Sequence, residues 1–114
     1  MKLVERTRGR AAIIDVHGPM VRDEAEPLVL LAALRDVLNR GRSCILLNVA
    51  EVHSVDSLWL GAMVQGYTTA VRKGGTIKLV HVSKRFRELL AVTKLDHVLE
   101  VFESEDEAIA TETR

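Results

Sequence analysis

Cysteine is nearly absent from this chain. The one residue, Cys44, stands inside the apolar run CILLNV, so no disulfide and no multi-cysteine zinc site can form within the chain. A reducing compartment, the cytoplasm, is the expected setting. Net charge is absent as well, because 16 basic and 16 acidic residues cancel to zero. Nucleic acid and anionic membranes both reward basic stripes, so neither is expected as the main partner. No apolar run approaches the roughly 20 residues that span a bilayer. The opening MKLVERTRGR is short and charged, without the apolar centre of a signal peptide.

The common signatures of catalysis are missing too. There is no G-x-G-x-x-G turn for a dinucleotide and no G-x-x-x-x-G-K-S/T loop for a nucleotide phosphate. A C-x-x-C redox pair needs a second cysteine. His17, His53, His81 and His97 are scattered without H-E-x-x-H or similar metal-ligand spacing, and they read as surface or strand-end residues. Asp56, lying mid-chain after a strand, invites comparison with a phosphoacceptor receiver domain. Such a domain holds Mg²⁺ with an acidic pair after its first strand, whereas Asp15 stands alone inside a strand and the last strand lacks a lysine. No Ser–His–Asp grouping is evident. The expectation is a protein that is not an enzyme, with no metal site and no cofactor.

What is present is a regular alternation of apolar patterns. With 114 residues, 47% of them apolar, the chain is expected to form one domain over residues 1–114 with a sizeable core. KLVERT reads as an edge strand, joined through Arg8–Gly9–Arg10 to a second strand, AAIIDVHG, that ends at Gly18. GPMVRDEAEP reads as a turn with acidic residues. From Pro27 a helix carries Leu28, Leu31, Leu34, Val37 and Leu38 inward and stops at Arg40–Gly41. CILLNV has the continuous apolarity of a strand buried on both faces, hence central in a sheet.

The next helix, SLWLGAMVQGYTTAVRKGG, places Leu60, Met63, Val64, Tyr67 and Val71 on one core stripe. Ala62, Gly66 and Ala70 form a second, small-residue face, and Gly74–Gly75 ends the helix. TIKLVHV is a strand, and SKRFRELLAVTKLD a helix capped by Ser83 with Phe86, Leu89, Leu90 and Thr93 on one face. VLEVF is a last short strand. SEDEAIATE closes as a helix with Ser104 and Glu107 in a capping box. The fold class is α/β in the order β-β-α-β-α-β-α-β-α, a mixed sheet with helices packed against it.

The informative stretch is EVHSVDSLWLG, residues 51–61, where a polar Asp56–Ser57 pair opens the second long helix. The plain reading of Ser57 is an N-cap. The sharper reading uses the helix N-terminus, whose unpaired N–H groups and partial positive charge accept an anion. A phosphate on Ser57 would add about −1.5 to −2 charges and change who can dock without melting the helix.

At these residues the sequence resembles the STAS domain family of bacterial anti-sigma factor antagonists, marked by a buried strand, a short loop and D-S-S-G-L-G opening a helix. CILLNVAEVHSVDSLWLGAMVQGY occupies the same place, with Asp56, Ser57, Leu60 and Gly61 matching. The likeness continues through AVRKGGTIKLVHVSKRFRELLAVTKLDHVLEVFESEDEAI and is weakest over the first 25 residues. The resemblance implies a STAS-type fold and a partner that is an anti-sigma factor with ATPase-type serine kinase activity. The unmodified antagonist binds that partner and frees the sigma factor; phosphorylation, here at Ser57, ends binding. It also implies partner-binding roles for Ser54, Asp56, Ser57, Leu58, Trp59 and Gly61.

Four positions depart from the family pattern. Leu58 and Trp59 replace serine and glycine, Asn48 stands at the end of the central strand where aspartate is usual, and Val21 where an aspartate is common. All four are expected near the partner face. Trp59 keeps two readings, core packing or partner-facing anchor, while Cys44 reads as a buried, inert residue. An alternative function is a STAS interaction or scaffold module that is bound without phosphorylation. A third is a small-ligand sensor near Gly18 and Ser57. The sequence leaves open whether the free protein is a monomer or a homodimer.

Overall fold

The computed structural model describes residues 2–20 and 27–110. The expected turn 18–27 falls mostly on residues outside that set, as does Val21. Strand β1 (Lys2–Arg8) and strand β2 (Ala11–His17) form an antiparallel hairpin in which Arg8 opposes Ala11 and Lys2 opposes His17. The two-residue connection is made possible by Gly9 at φ +56°, a left-handed conformation that glycine adopts without steric cost.

From β2 onward the sheet is parallel, through β3 (Cys44–Glu51), β4 (Thr76–Val80) and β5 (Glu100–Phe102). The strand order is β1-β2-β3-β4-β5, so the CILLNV strand is central, as its apolarity requires. The connecting helices are α1 (Pro27–Asn39), α2 (Ser57–Arg72) and α3 (Lys84–Val92), with a 3₁₀ turn at Leu95–His97 before β5. Each parallel crossover steps in the same direction along the sheet. Because such crossovers are right-handed, all three helices must lie on one face. The terminal helix α4 (Glu105–Ala110) lies on the other.

The two faces divide the core. Toward the three helices, Ile14, Ile45, Leu47, Val49, Ile77 and Leu79 meet Leu30, Leu34, Trp59, Met63, Phe86 and Leu90. Toward α4, a smaller cluster joins Ala11, Ile13, Cys44, Leu46 and Val80 to Ala108. Cys44 is buried in this second cluster.

Two helices present different faces from those the sequence suggests. In α1 the buried set is Leu30, Leu31, Leu34, Val37 and Leu38, and Leu28 is 68% exposed. In α2 it is Trp59, Leu60, Ala62, Met63, Gly66 and Ala70; Val64 and Tyr67 are half-buried and Val71 is exposed. The reason is proximity. A Cβ on Gly66 would lie 2.5 Å from Leu34 Cδ1, so α1 and α2 pack closely where α2 carries no side chain. The small-residue face points inward and turns the end of the apolar stripe outward. In α3, Phe86 and Leu90 are buried as expected, but Thr93 is exposed and its hydroxyl donates to Leu89 O at 2.8 Å.

Helix starts and stops follow local chemistry. Ser83 Oγ accepts from Phe86 N at 3.1 Å, and Ser104 Oγ from Glu107 N at 3.1 Å. After α2, Gly75 N donates to Ala70 O at 2.7 Å, and a Cβ on Gly75 would meet Ser43 O at 2.3 Å. That turn brings β4 beside β3, where Thr76 N donates to Ser43 O at 2.7 Å.

Candidate functional site

In a parallel sheet the loops after the carboxyl ends of the strands are the usual place for a site. Two of them are tied together here. Met20 N donates to Ser54 O at 2.8 Å and Asp56 N to Met20 O at 2.9 Å, around a parallel bridge between Met20 and Val55. Met20 and Val52 are fully buried beneath these loops. The entry to α2 is therefore held by the backbone of a neighbouring loop as well as by its own sequence.

Asp56, not Ser57, caps that helix. Its backbone is extended, at φ −107° and ψ 174°, and its Oδ1 accepts from Trp59 N at 3.1 Å. The capping role considered for Ser57 thus belongs to its neighbour. Ser57 is the first helical residue, its side chain is exposed, and its hydroxyl makes no hydrogen bond to a described residue.

The other expected site residues separate into two groups. Leu58 is 48% exposed and Gly61 lies on the same outer surface, whereas Trp59 is fully buried. Of the two readings of Trp59, the structure gives core packing, and the expected partner-facing indole is corrected accordingly. Its Nε1–H has no hydrogen-bond partner among the described residues, which costs about 1–3 kcal/mol for a buried donor. Ser54 is half-buried and enters the site through its carbonyl. A Cβ on Gly61 would meet nothing within 4 Å. Pro27, Leu28, Ser57, Leu58 and Gly61 line an open groove of about 360 Å³.

Asn48 is corrected twice. It lies within β3, not at its end, and with Cys44 and Leu46 it faces α4, away from the outer surface of α2. Its Nδ2 donates to Asp15 Oδ1 at 2.8 Å, and its Oδ1 accepts from Ala50 N at 3.1 Å. A carboxylate in its place would confront Asp15 with a like charge and remove that donor. Asp15 is not solitary either. Arg6 grips it through Nε at 2.6 Å and Nη2 at 2.8 Å, and the same Nη2 reaches Glu105 Oε2 at 2.7 Å. Arg8 adds contacts to Glu105 and Asp106.

This charge cluster fastens α4 to the hairpin. The Arg6 guanidinium holds the Asp15 carboxyl below the usual carboxylate range against the opposing effect of burial, with the Asn48 hydrogen bond adding to it. Arg6, then Arg8, does the same to Glu105. Sequence reading missed the cluster, although its signal was present. A two-residue hairpin turn fixes the register, which puts Arg6 opposite Ile13 and diagonal to Asp15 on one face.

Of the four histidines, His17 pairs with Glu51 at 2.8 Å, and no group of three metal-ligating side chains forms among the described residues. No helix among them is long and apolar enough to cross a membrane.

A buried central strand, a tied loop and an aspartate-capped helix with a displayed serine now stand together in one α/β sheet. The family model described as "Mlab, STAS domain" matches residues 3–101. The chain belongs to the STAS domain family. A homologue in Thermotoga neapolitana, named as a candidate anti-sigma factor antagonist, is 32% identical over 74 residues, 65% of this chain and 66% of its own length. The alignment thus spans just under two thirds of that relative.

Solved structures share the fold of this STAS domain. A candidate anti-sigma factor antagonist of Thermotoga maritima superposes with a TM-score of 0.86 at 23% identity, covering 98% of this chain and 95% of the other. The anti-sigma factor antagonist SpoIIAA in its unphosphorylated form superposes at 0.78 with 17% identity, over 95% and 93% of the two chains. The Bacillus cell fate determinant SpoIIAA in the phosphorylated form gives 0.72 at 17% identity, over 96% and 98%.

Proposed function

We propose that this STAS domain is an anti-sigma factor antagonist. It binds an anti-sigma factor with serine kinase activity through the first turns of α2, and phosphorylation of Ser57 ends the complex. The observation that carries this reading is the division of labour at the helix start. Asp56 satisfies the cap, which leaves the exposed Ser57 hydroxyl without a structural duty. Relatives named as anti-sigma factor antagonists support the role, and the fold recurs in SpoIIAA with and without its phosphate.

The transfer needs ATP, which the kinase binds. Ser57 Oγ attacks the γ-phosphorus, the bond from that phosphorus to the β–γ bridging oxygen breaks, and ADP leaves. The hydroxyl proton passes to a base of the kinase. The product places a dianionic group beside the unpaired N–H groups of the first helical turn, a position where negative charge is favourable. Helix α2 stays intact while the surface beside Leu58 and Gly61 changes sign and bulk.

A second reading is a STAS module held permanently in a signalling assembly. Exposed Leu28, Val29 and Leu58 favour it, since an apolar surface can be covered without any phosphate. The experiment that separates the two is intact-mass and phosphopeptide analysis after incubation with ATP and the ATPase-type kinase encoded nearest the gene. Wild type is run beside Ser57→Ala, and complexes are scored by size-exclusion chromatography. One phosphoryl group on Ser57 with loss of the complex supports the switch. A complex that forms and persists without modification supports the permanent module.

A further inference from the structure

Helices α1 and α2 run side by side in the same direction. Leu28 flanks the same groove as Ser57 and Leu58, Leu34 meets the Gly66 position, and Asn39 Oδ1 accepts from Lys73 Nζ at 3.2 Å. Their outer surfaces make two adjoining hollows that share Gln65. The first is the groove already described, where Leu28 and Leu58 are 68% and 48% exposed. The second is an open cleft of about 330 Å³ flanked by Arg35 of α1 and Arg72 of α2, with Thr68 and Thr69 between them.

Chemistry differs sharply between the two ends. Arg6, Arg8, Arg40 and Arg87 all pair with carboxylates. Arg35 and Arg72, like Arg10, Arg42 and Arg85, pair with no carboxylate among the described residues, but only these two flank one cleft of the α1–α2 face. The neighbouring Asp36 is engaged by Arg40 at 3.2 Å. Two cations thus stand beside one cleft with no anionic partner among the described residues. From Leu58 to Arg72 the helix advances about 21 Å at 1.5 Å per residue, about four turns of a partner helix.

Gly61 adds an independent indication. A glycine inside a helix lowers stability relative to alanine, and at Gly66 close packing on Leu34 explains it. At Gly61 no neighbour among the described residues fills the space that a side chain would take. The bare backbone there leaves room for close approach to α2.

We propose that the outer face shared by α1 and α2 is a two-part docking groove for an acidic amphipathic helix of a protein partner. The apolar end of that helix seats on Leu28, Leu58 and Gly61, and its carboxylates meet Arg35 and Arg72. This deepens the reading of the α2 surface above and rests on it only for the choice of face. It also gives phosphorylation a second effect, because a phosphate on Ser57 repels an acidic occupant at close range. A second copy of this chain is a poor occupant. Glu105 and Asp106 of its acidic helix α4 are already engaged by Arg6 and Arg8.

The test uses a helical peptide of about four turns with two leucines one turn apart at one end and three glutamates at the other, synthesised in both chain directions. Binding is read by fluorescence anisotropy, and circular dichroism confirms that each variant is folded. One direction is expected to bind wild type at about 10–100 µM in low salt and to weaken as salt rises. Arg35→Glu/Arg72→Glu is expected to weaken it about tenfold and to flatten the salt dependence. Arg35→Gln/Arg72→Gln should fall between. Leu28→Ala/Leu58→Ala should weaken binding while leaving the salt dependence in place.

Failure of both peptides to bind, or binding that survives the arginine reversals, would overturn the proposal. So would sedimentation showing a dimer that the same reversals dissociate, since that would assign the groove to a second copy. No anti-sigma factor enters this experiment. Its failure leaves the Ser57 reading standing, and failure of the kinase experiment leaves the groove standing.

Discussion

Helix α2 holds two interior glycines for opposite reasons. Gly66 faces inward, where a side chain would collide with Leu34 and crowd Ile77. Gly61 faces outward into open space, so no contact among the described residues accounts for the stability it forgoes. The inner side of the helix is shaped by the fold, and the outer side, as proposed above, by a docking partner. The same division runs through residues 56–59. Asp56 and Trp59 serve the fold as cap and core, while Ser57 and Leu58 are left at the surface.

The strongest way to test this division is to fill both glycines. Gly66→Val should destabilise the protein by about 1–3 kcal/mol through overpacking against α1, read as a lower urea midpoint. Equal stability to wild type would show that the α1–α2 contact is looser than described.

The charge cluster on the opposite face of the sheet comes next. Arg6→Gln should cost about 1–2 kcal/mol, toward the low end for charge-assisted hydrogen bonds because the Arg6 side chain is 39% exposed and screened by solvent. Asp15 and Glu105 have folded pKa values lowered by Arg6. Their contribution is therefore fully present above the ordinary carboxylate range, about pH 4–4.5, and is lost as pH falls through the folded values. Thermal melts from pH 7 down to pH 2 should show wild type losing stability in acid more steeply than Arg6→Gln. Parallel curves would mean that the cluster does not hold α4.

At the start of α2 the paired effects are smaller. Asp56→Ala should cost about 1 kcal/mol as a lost cap, while Ser57→Ala should stay within about 0.5 kcal/mol of wild type. If the two costs were reversed, the serine would be the structural residue and the displayed-serine account would fail. The smallest effect has the opposite sign. Gly61→Ala should stabilise the fold by about 0.5–1 kcal/mol and yet weaken partner binding. A stabilised variant that binds as wild type would remove the argument drawn from the open space at Gly61.

Much of this architecture is legible in the residues. CILLNV announces a central strand, Ser83 and Ser104 mark helix starts, and Arg8–Gly9–Arg10 marks a hairpin. What was not legible depends on contacts between elements. In α2 the small-residue face of Ala62, Gly66 and Ala70 was legible and is buried, but the apolar stripe was not core to its end, because close packing of Gly66 on Leu34 turns that face inward and leaves Val71 outside. Leu28 read as core from its spacing, but the first turn of α1 projects it outward. Asn48 read as part of the partner face until strand alternation in β3 assigned it to the side of Asp15 and α4. In the site itself, the D-S pair was visible, but which residue caps was not. Asp and Ser both cap well, and only the extended backbone at Asp56 decides between them.

The most direct test of the displayed serine is to prepare the protein with phosphoserine at position 57 and compare it with the unmodified form. Thermal melting and affinity for the purified kinase partner are measured on the same two samples. The account predicts melting temperatures within about 2 °C of each other and partner binding at least about tenfold weaker for the phosphorylated form. Unchanged affinity would contradict it by showing that Ser57 does not control the partner, and a melting temperature that drops by many degrees would contradict it by showing that Ser57 serves the fold.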